Sequence, residues 1–169
     1  MAYRKDRAEC ERPRILTARL LTDQRNGEAV EVAHDPLAVV GEFLRVVRSG
    51  VDPSRAGQLM APVVTAHQVQ AEDPAVVTRT PQQYAEHVQE MIDAYGTFEL
   101  RVDELFGSGD KVYARWTQQG HHIGQVNGMA PTGRPVVEVA SAVYRVVDGL
   151  ICEYWIQIDR WGLHAQLAT

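Results

Sequence analysis

The second half of the chain constrains the fold most tightly. Residues 97–106, 111–122, 136–147 and 150–159 are four long strand-like runs, separated by Gly-Ser-Gly-Asp, a Gly/Pro-rich loop and Asp148-Gly149. Such Gly, Pro and Asp clusters punctuate strands, and Asp-Gly tolerates the positive φ of a tight hairpin turn. The last two runs therefore join directly, and the four together read as an antiparallel meander. A meander of this kind buries one face only against other elements, so helices must cover it.

Those helices precede the strands. Asp35 followed by Pro36 reads as an N-cap and first helical position, and Leu37, Val40, Leu44 and Val47 recur at helical spacing until Gly50. Asp52-Pro53 restarts a short helix carrying Ala56, Leu59 and Met60, which Pro62 is expected to end. A strand over 63–69 follows, containing His67, and then a loop over 70–74. Thr80, Pro81 and Gln83 form the clearest helix start, a capping box with proline at the first position. Tyr84, Val88, Met91 and Tyr95 make one stripe, and Gly96 ends it. Helices first and strands second predicts the α+β class with helices packed on one sheet face.

With 169 residues and 18.8 kDa, the chain suits one main domain, over 35–169. Residues 1–34 read as an extension, with strand-like runs 15–22 and 28–33 around Asn26-Gly27 suggesting a hairpin. Residues 1–19 hold six Lys/Arg against three Asp/Glu, which suits either a basic arm or a solvated, partly disordered terminus. No run approaches the roughly 18 apolar residues of a membrane span. The charged start, Met1 to Glu11, lacks an apolar signal-peptide core, so a cytoplasmic protein is expected. Cys10 and Cys152 fit no ligand spacing and read as reduced bystanders. A net charge of -5 argues against nucleic acid as the main partner.

Several short motifs occur in a fixed order: Arg115-Trp116, Gly120-His121-His122-Ile123-Gly124, Gly128-Met129-Ala130-Pro131-Thr132-Gly133-Arg134, Tyr144-Arg145-Val146-Val147-Asp148-Gly149, Glu153-Tyr154-Trp155 with Asp159, and Leu163-His164-Ala165-Gln166-Leu167. Together they resemble the SnoaL-like polyketide cyclase family of the nuclear transport factor 2-like superfamily, over about 35–167. Leu150 and Ala168 stand where the family usually has Lys and Gly. The resemblance implies a cone-shaped curved antiparallel sheet with the N-terminal helices over its concave face. It also implies ring closure in a polyketide ester by intramolecular aldol condensation, with an acidic residue as acid/base and no metal or organic cofactor.

The resemblance places that acid/base at Asp159. A carboxylate walled by apolar groups has its pKa raised and can take and return a proton α to a carbonyl. The alternative is an N-cap, because a helix over 160–167 follows. His122 occupies the family's histidine position and would stabilise an enolate oxygen or carry a proton; it equally suits a solvated strand-end histidine. His67 also matches a family position and would bind a substrate carbonyl or simply sit in the wall. Strand alternation puts Ile151, Glu153, Trp155, Gln157 and Asp159 on one face, read as the pocket side. It leaves Leu150, Cys152, Tyr154, Ile156 and Ile158 on the other, an apolar face that predicts a homodimer or higher homo-oligomer.

Trp116, Trp155, Tyr84 and Met91 are expected to line a cavity for a flat hydrophobic substrate, although core packing explains Tyr84 and Met91 equally well; Arg145 either pairs with Asp159 or Glu153 or extends to solvent. His121 and His122 point to opposite faces and no metal-ligand spacing occurs, so no metal site is expected. Two alternatives remain: a hydroxylase-type or epoxide-opening enzyme on the same scaffold, or a non-catalytic small-molecule binding protein. Thr117 stands two residues after Arg115, where the epoxide-opening enzymes would want a carboxylate.

Overall fold

A computed structural model describes residues 35–168. The hairpin expected within residues 1–34 lies outside the described residues. Helix α1 (Pro36–Glu42) starts where Asp35 accepts the Leu37 N–H at 3.0 Å, with Pro36 at its first position. It runs on into six residues of π-helix, Phe43–Arg48, whose wider turns bury Phe43, Leu44, Val46, Val47 and Arg48. A short 3-10 turn, Pro53–Arg55, leads into α2 (Ala56–Leu59). Strands β1 (Met60–Gln68) and β2 (Ala75–Arg79) come next, then α3 (Pro81–Tyr95). The capping box of α3 is complete: Thr80 accepts from Gln83 N–H, and Gln83 accepts from Thr80 N–H. Strands β3 (Glu99–Ser108), β4 (Lys111–His121), β5 (Pro135–Val147) and β6 (Leu150–Ile158) form the meander, and α4 (Arg160–Leu167) follows.

The six strands form one curved sheet in the order β2-β1-β6-β5-β4-β3. The fold is α+β, with the helices packed on one face. Every neighbouring pair is antiparallel except β1 and β6, which run parallel. That pairing was not anticipated, because it joins segments about 90 residues apart with α3 and the meander between them. Met60 and Pro62, expected to close a helix, lie in β1. The ladder to β6 skips from Met60 to Thr65, so Pro62 sits where no strand hydrogen bond is asked of it.

The core lies between sheet and helices. Phe43, Leu44, Val47, Tyr84 and Val88 pack on Val64, Ala114, Trp116, Ala142, Tyr144 and Tyr154. Rings of Phe43, Tyr84, Tyr144 and Tyr154 meet at centroid distances of 5.1–6.3 Å, in the tilted and edge-on arrangements aromatic quadrupoles prefer.

A bulge in β6 decides which side chains face this core. Arg145 pairs with Glu153 but Val146 pairs with Ile151, so Cys152 is an extra residue. Alternation counted through it changes face. Tyr154, Ile156 and Ile158 therefore pack on the core, while Glu153, Trp155 and Gln157 take the open face. This reverses the faces expected for β6, and the apolar run is not the exposed patch.

Two glycines of the Gly-His-His-Ile-Gly motif explain how the end of β4 meets α3. A Cβ on Gly120 would stand 2.7 Å from the Tyr95 carbonyl oxygen, and one on Gly124 would overlap the Asp93 carbonyl oxygen. Backbone cannot yield as a side-chain tip can. Gly120→Ala and Gly124→Ala are each expected to cost about 1–3 kcal/mol of stability through forced backbone shifts. Gly57→Ala, in a helix with open space around it, should be neutral or slightly stabilising. Thermal unfolding of the three variants checks this order.

Candidate functional site

Between β5, the end of β6 and α4 the fold leaves a cavity of about 210 Å³. Glu138 and Ile158 line it from the sheet, Asn127 from the preceding loop, and Arg160, Leu163, His164 and Leu167 from α4. The α4 residues have the 160, 163, 164, 167 spacing of one helix face. Gln166 fixes that face over the cavity: its amide donates to the Val137 carbonyl and accepts the Val137 N–H, both at 2.9 Å. This clamp gives the glutamine of the last motif a structural job. A narrow recess adjoins the cavity, sharing Glu138 and Leu163 and walled further by Tyr95, Gln118, Gly120 and Val136.

Glu138 is the chemical centre of this region. It follows Val136 on the helix-covered face of β5, in the same alternation as Ala140, Ala142 and Tyr144. Arg48, only 4% exposed, reaches across from the end of the π-helix. Its guanidinium donates to Gln118 Oε1 at 2.7 Å and to Glu138 Oε1 at 3.2 Å, and lies 5.4 Å from the Trp116 ring centroid. Burial pushes the Glu138 carboxyl above its ordinary pKa; the charge and hydrogen bond of Arg48, and the charge of Arg160, pull down without cancelling that. The side chain remains 11% exposed, so it is shielded yet reachable from the cavity.

The expected site residues fall into three places. Asp159 is exposed and N-caps α4, its carboxylate accepting the Gly162 N–H at 2.9 Å; it stands between the cavity residues Ile158 and Arg160. His122, Trp116, Tyr84 and Met91 are buried on the helix-covered side. His122 Nδ1 lies 3.2 Å from the Thr132 hydroxyl, and its Nε2 has no hydrogen-bond partner among the described residues. Trp116 Nε1 is likewise unpartnered there. None of these four lines the cavity, although Trp116 carries Arg48.

His67, Trp155 and Arg145 occupy the opposite, open face. His67 stacks on Trp155 at 4.9 Å and shares a 2.9 Å hydrogen bond with Glu153, which also accepts from Arg145 at 2.8 Å. Burial alone would raise the Glu153 pKa, but these two hydrogen bonds hold it below the usual carboxylate value. The bulge at Cys152 turns Trp155 away from the cavity, and His67 on β1 and Arg145 on β5 meet Trp155 and Glu153 on that open face. Sequence reasoning missed Glu138, Arg48 and Gln118. The available signal was a lone carboxylate at a core position of an apolar strand. Among the described residues, no group of three or more His, Cys, Asp or Glu could hold a metal ion, and no helix is long and apolar enough to cross a membrane.

A family model described as SnoaL-like polyketide cyclase matches residues 38–167. No curated protein matches the chain. Solved structures do. IdmH from Streptomyces antibioticus, provisionally named a polyketide cyclase, is 27% identical, with 80% of this chain and 100% of that one covered and a TM-score of 0.67. A provisionally named polyketide cyclase from Acidithiobacillus ferrooxidans is 21% identical over 82% of this chain and 98% of that one, at 0.69. AclR from Streptomyces galilaeus, provisionally named a hydroxylase, is 21% identical over 79% and 84%, at 0.67.

The Arg48–Glu138 pair carries a stability prediction. Because burial holds the folded-state pKa of Glu138 above its unfolded value, ionisation of Glu138 opposes folding. Its stabilising contribution is complete below the unfolded pKa and lost as pH rises through the folded one. Arg48→Met removes the counter-charge, raises the folded value further, and should cost about 3–5 kcal/mol at neutral pH. The loss should shrink on acidification as Glu138 protonates. Urea unfolding at neutral and acid pH measures both.

Proposed function

This chain belongs to the SnoaL-like polyketide cyclase family, and from that premise we propose that it is a cofactor-independent acid/base enzyme that closes a ring in a polyketide-like intermediate of secondary metabolism. The observation that carries this reading is the buried carboxylate of Glu138, raised in pKa at the floor of a cavity. A raised carboxylate is matched to carbon-acid chemistry near neutral pH. Glu138 takes the proton α to a carbonyl, and the resulting enolate carbon attacks a second carbonyl of the same chain. The new C–C bond leaves an alkoxide, to which Glu138 returns the proton. Gln118 accepts from Arg48 through its oxygen, which leaves its amide N–H groups to donate to the enolate oxygen. The cavity holds the folded chain with its reacting carbons together.

Asp159 is the second reading for the base. It is favoured by its position between two cavity residues and by the family pattern, with His122 as its partner; its exposure and its capping bond favour Glu138. The epoxide-opening alternative draws less support, because Arg115 pairs with Glu104 at 3.2 Å on the open face. That face also supports a second copy of the chain as partner. Neighbouring strands set Phe106, Tyr113, Val143, Trp155 and His67 in one row across it, with Phe106 61% exposed. Light scattering should return twice the 18.8 kDa chain mass; a monomer would exclude this pairing.

Two near-isosteric variants test the base. Glu138→Gln keeps an acceptor for Arg48 and should lower kcat by about 10²–10⁴. Asp159→Asn keeps a good N-cap and should stay within a few-fold of the parent. Single-turnover assays on a candidate polyketide ester, with binding measured in parallel, separate the two. The reverse pattern would transfer the base to Asp159, and unchanged ligand recovered from all three proteins would favour a binding protein.

A further inference from the structure

The exposures of the cavity residues sort by chemistry. Ile158 and Leu163 are half-buried and Leu167 is buried, so the inner wall is apolar, with the shielded Glu138 at its floor. Asn127, Arg160 and His164 are exposed and form a polar mouth. The adjoining recess is of a different scale: at about 10 Å³ it has room for about one water-sized group. Gly120 in its wall keeps it open, because a Cβ there would stand 2.7 Å from the Tyr95 carbonyl oxygen. Gln118, also in that wall, accepts from Arg48 through its amide oxygen and donates to no described residue. Glu138 borders both spaces.

Volume limits what enters. An apolar cavity of roughly 150 Å³ holds one benzene. At about 210 Å³ this one takes a six-membered ring with a few attached atoms, and two fused rings with a substituent exceed it. The rest of a longer molecule lies outside a mouth of polar side chains, which suits an ester and the chain attached to it. The recess orients the enclosed end. A ketone oxygen fits a space of one water, where the Gln118 N–H groups donate to it, and the carbon α to that ketone is then brought to Glu138. A ring lacking such an oxygen leaves those donors unpaired.

We infer that the cavity takes in the ketone end of its substrate and no more than one six-membered ring of it, with the ketone oxygen in the recess and the ester end outside the mouth. This rests on the cavity being the active site, and it adds the substrate's direction of entry and the number of rings enclosed. The enzyme then closes a single ring at the ketone end, and any ring already formed stays outside.

The test is an NMR binding titration that needs no turnover and uses three neutral probes: acetophenone, ethylbenzene and 2-acetylnaphthalene. Ethylbenzene is the more hydrophobic of the one-ring pair, so burial alone favours it. The intact protein should nevertheless bind acetophenone about 3–10-fold more tightly, as expected for one neutral hydrogen bond. A second ring, if buried, should tighten binding by about 100-fold; held at the mouth, it should gain 2-acetylnaphthalene less than about ten-fold over acetophenone. Leu163→Ala, which removes a wall of both spaces, should restore most of the second-ring gain. Gln118→Met should abolish the preference for acetophenone over ethylbenzene, whereas Glu138→Gln should retain it. Ethylbenzene binding as tightly as acetophenone overturns the inference, as does a second-ring gain near 100-fold in the intact protein or one that Leu163→Ala leaves unchanged. So does a ketone preference that survives in Gln118→Met or vanishes in Glu138→Gln, or the failure of acetophenone to bind at millimolar concentration. Glu138→Gln is scored here by binding alone, so failure of the acid/base reading leaves these results as they are.

Discussion

The contact between Arg48 and Glu138 is the one on which the site depends. It ties the helical layer to the sheet, because Arg48 ends the π-helix and its two partners lie on β4 and β5. A buried ion pair is seldom a good stabiliser compared with apolar side chains of the same volume, since both charges lose their water. Arg48 and Gln118 are nearly as buried as the aliphatic core around them. What the pair provides instead is a carboxylate held in one orientation, shielded from bulk water and still open to a cavity. Arg48 is itself held by the π-helical turns and by the Trp116 face.

The second determinant is the single extra residue in β6. The bulge at Cys152 sorts the side chains of β6 into two populations. Tyr154, Ile156 and Ile158 go to the core, and Ile158 continues to the cavity. Glu153 and Trp155 go to the open face, where they join His67 and Arg145 in a hydrogen-bonded and stacked group. A strand of unbroken alternation would have exchanged these sets.

Much of the architecture was legible because its signals are local. The capping box of Thr80 and Gln83, the hairpin at Asp148-Gly149 and the four meander strands each follow from a few adjacent residues. Strand β2 was not legible: its five residues are short, largely exposed and without alternation, and they form a strand only through pairing with β1. The parallel β1/β6 pair and the Cys152 bulge are likewise properties of register between distant segments. The site was less legible than the fold for the same reason. Alternation counted without the bulge carried Trp155 to the wrong face of β6, and Asp159, placed by its family position, caps a helix. Glu138 sat in plain view as a charge inside an apolar strand, yet its meaning depends on Arg48, 90 residues away.

The central claim is that Glu138 is a carboxyl whose proton affinity the fold has raised. It can be tested on the resting protein by following the Glu138 side-chain carboxyl carbon through an NMR pH titration. The account predicts a midpoint clearly above the ordinary glutamate value of about 4.3, moving higher still in Arg48→Met. A midpoint at or below the ordinary value would mean that Arg48 outweighs burial, and that Glu138 is one half of a structural ion pair rather than an acid/base group.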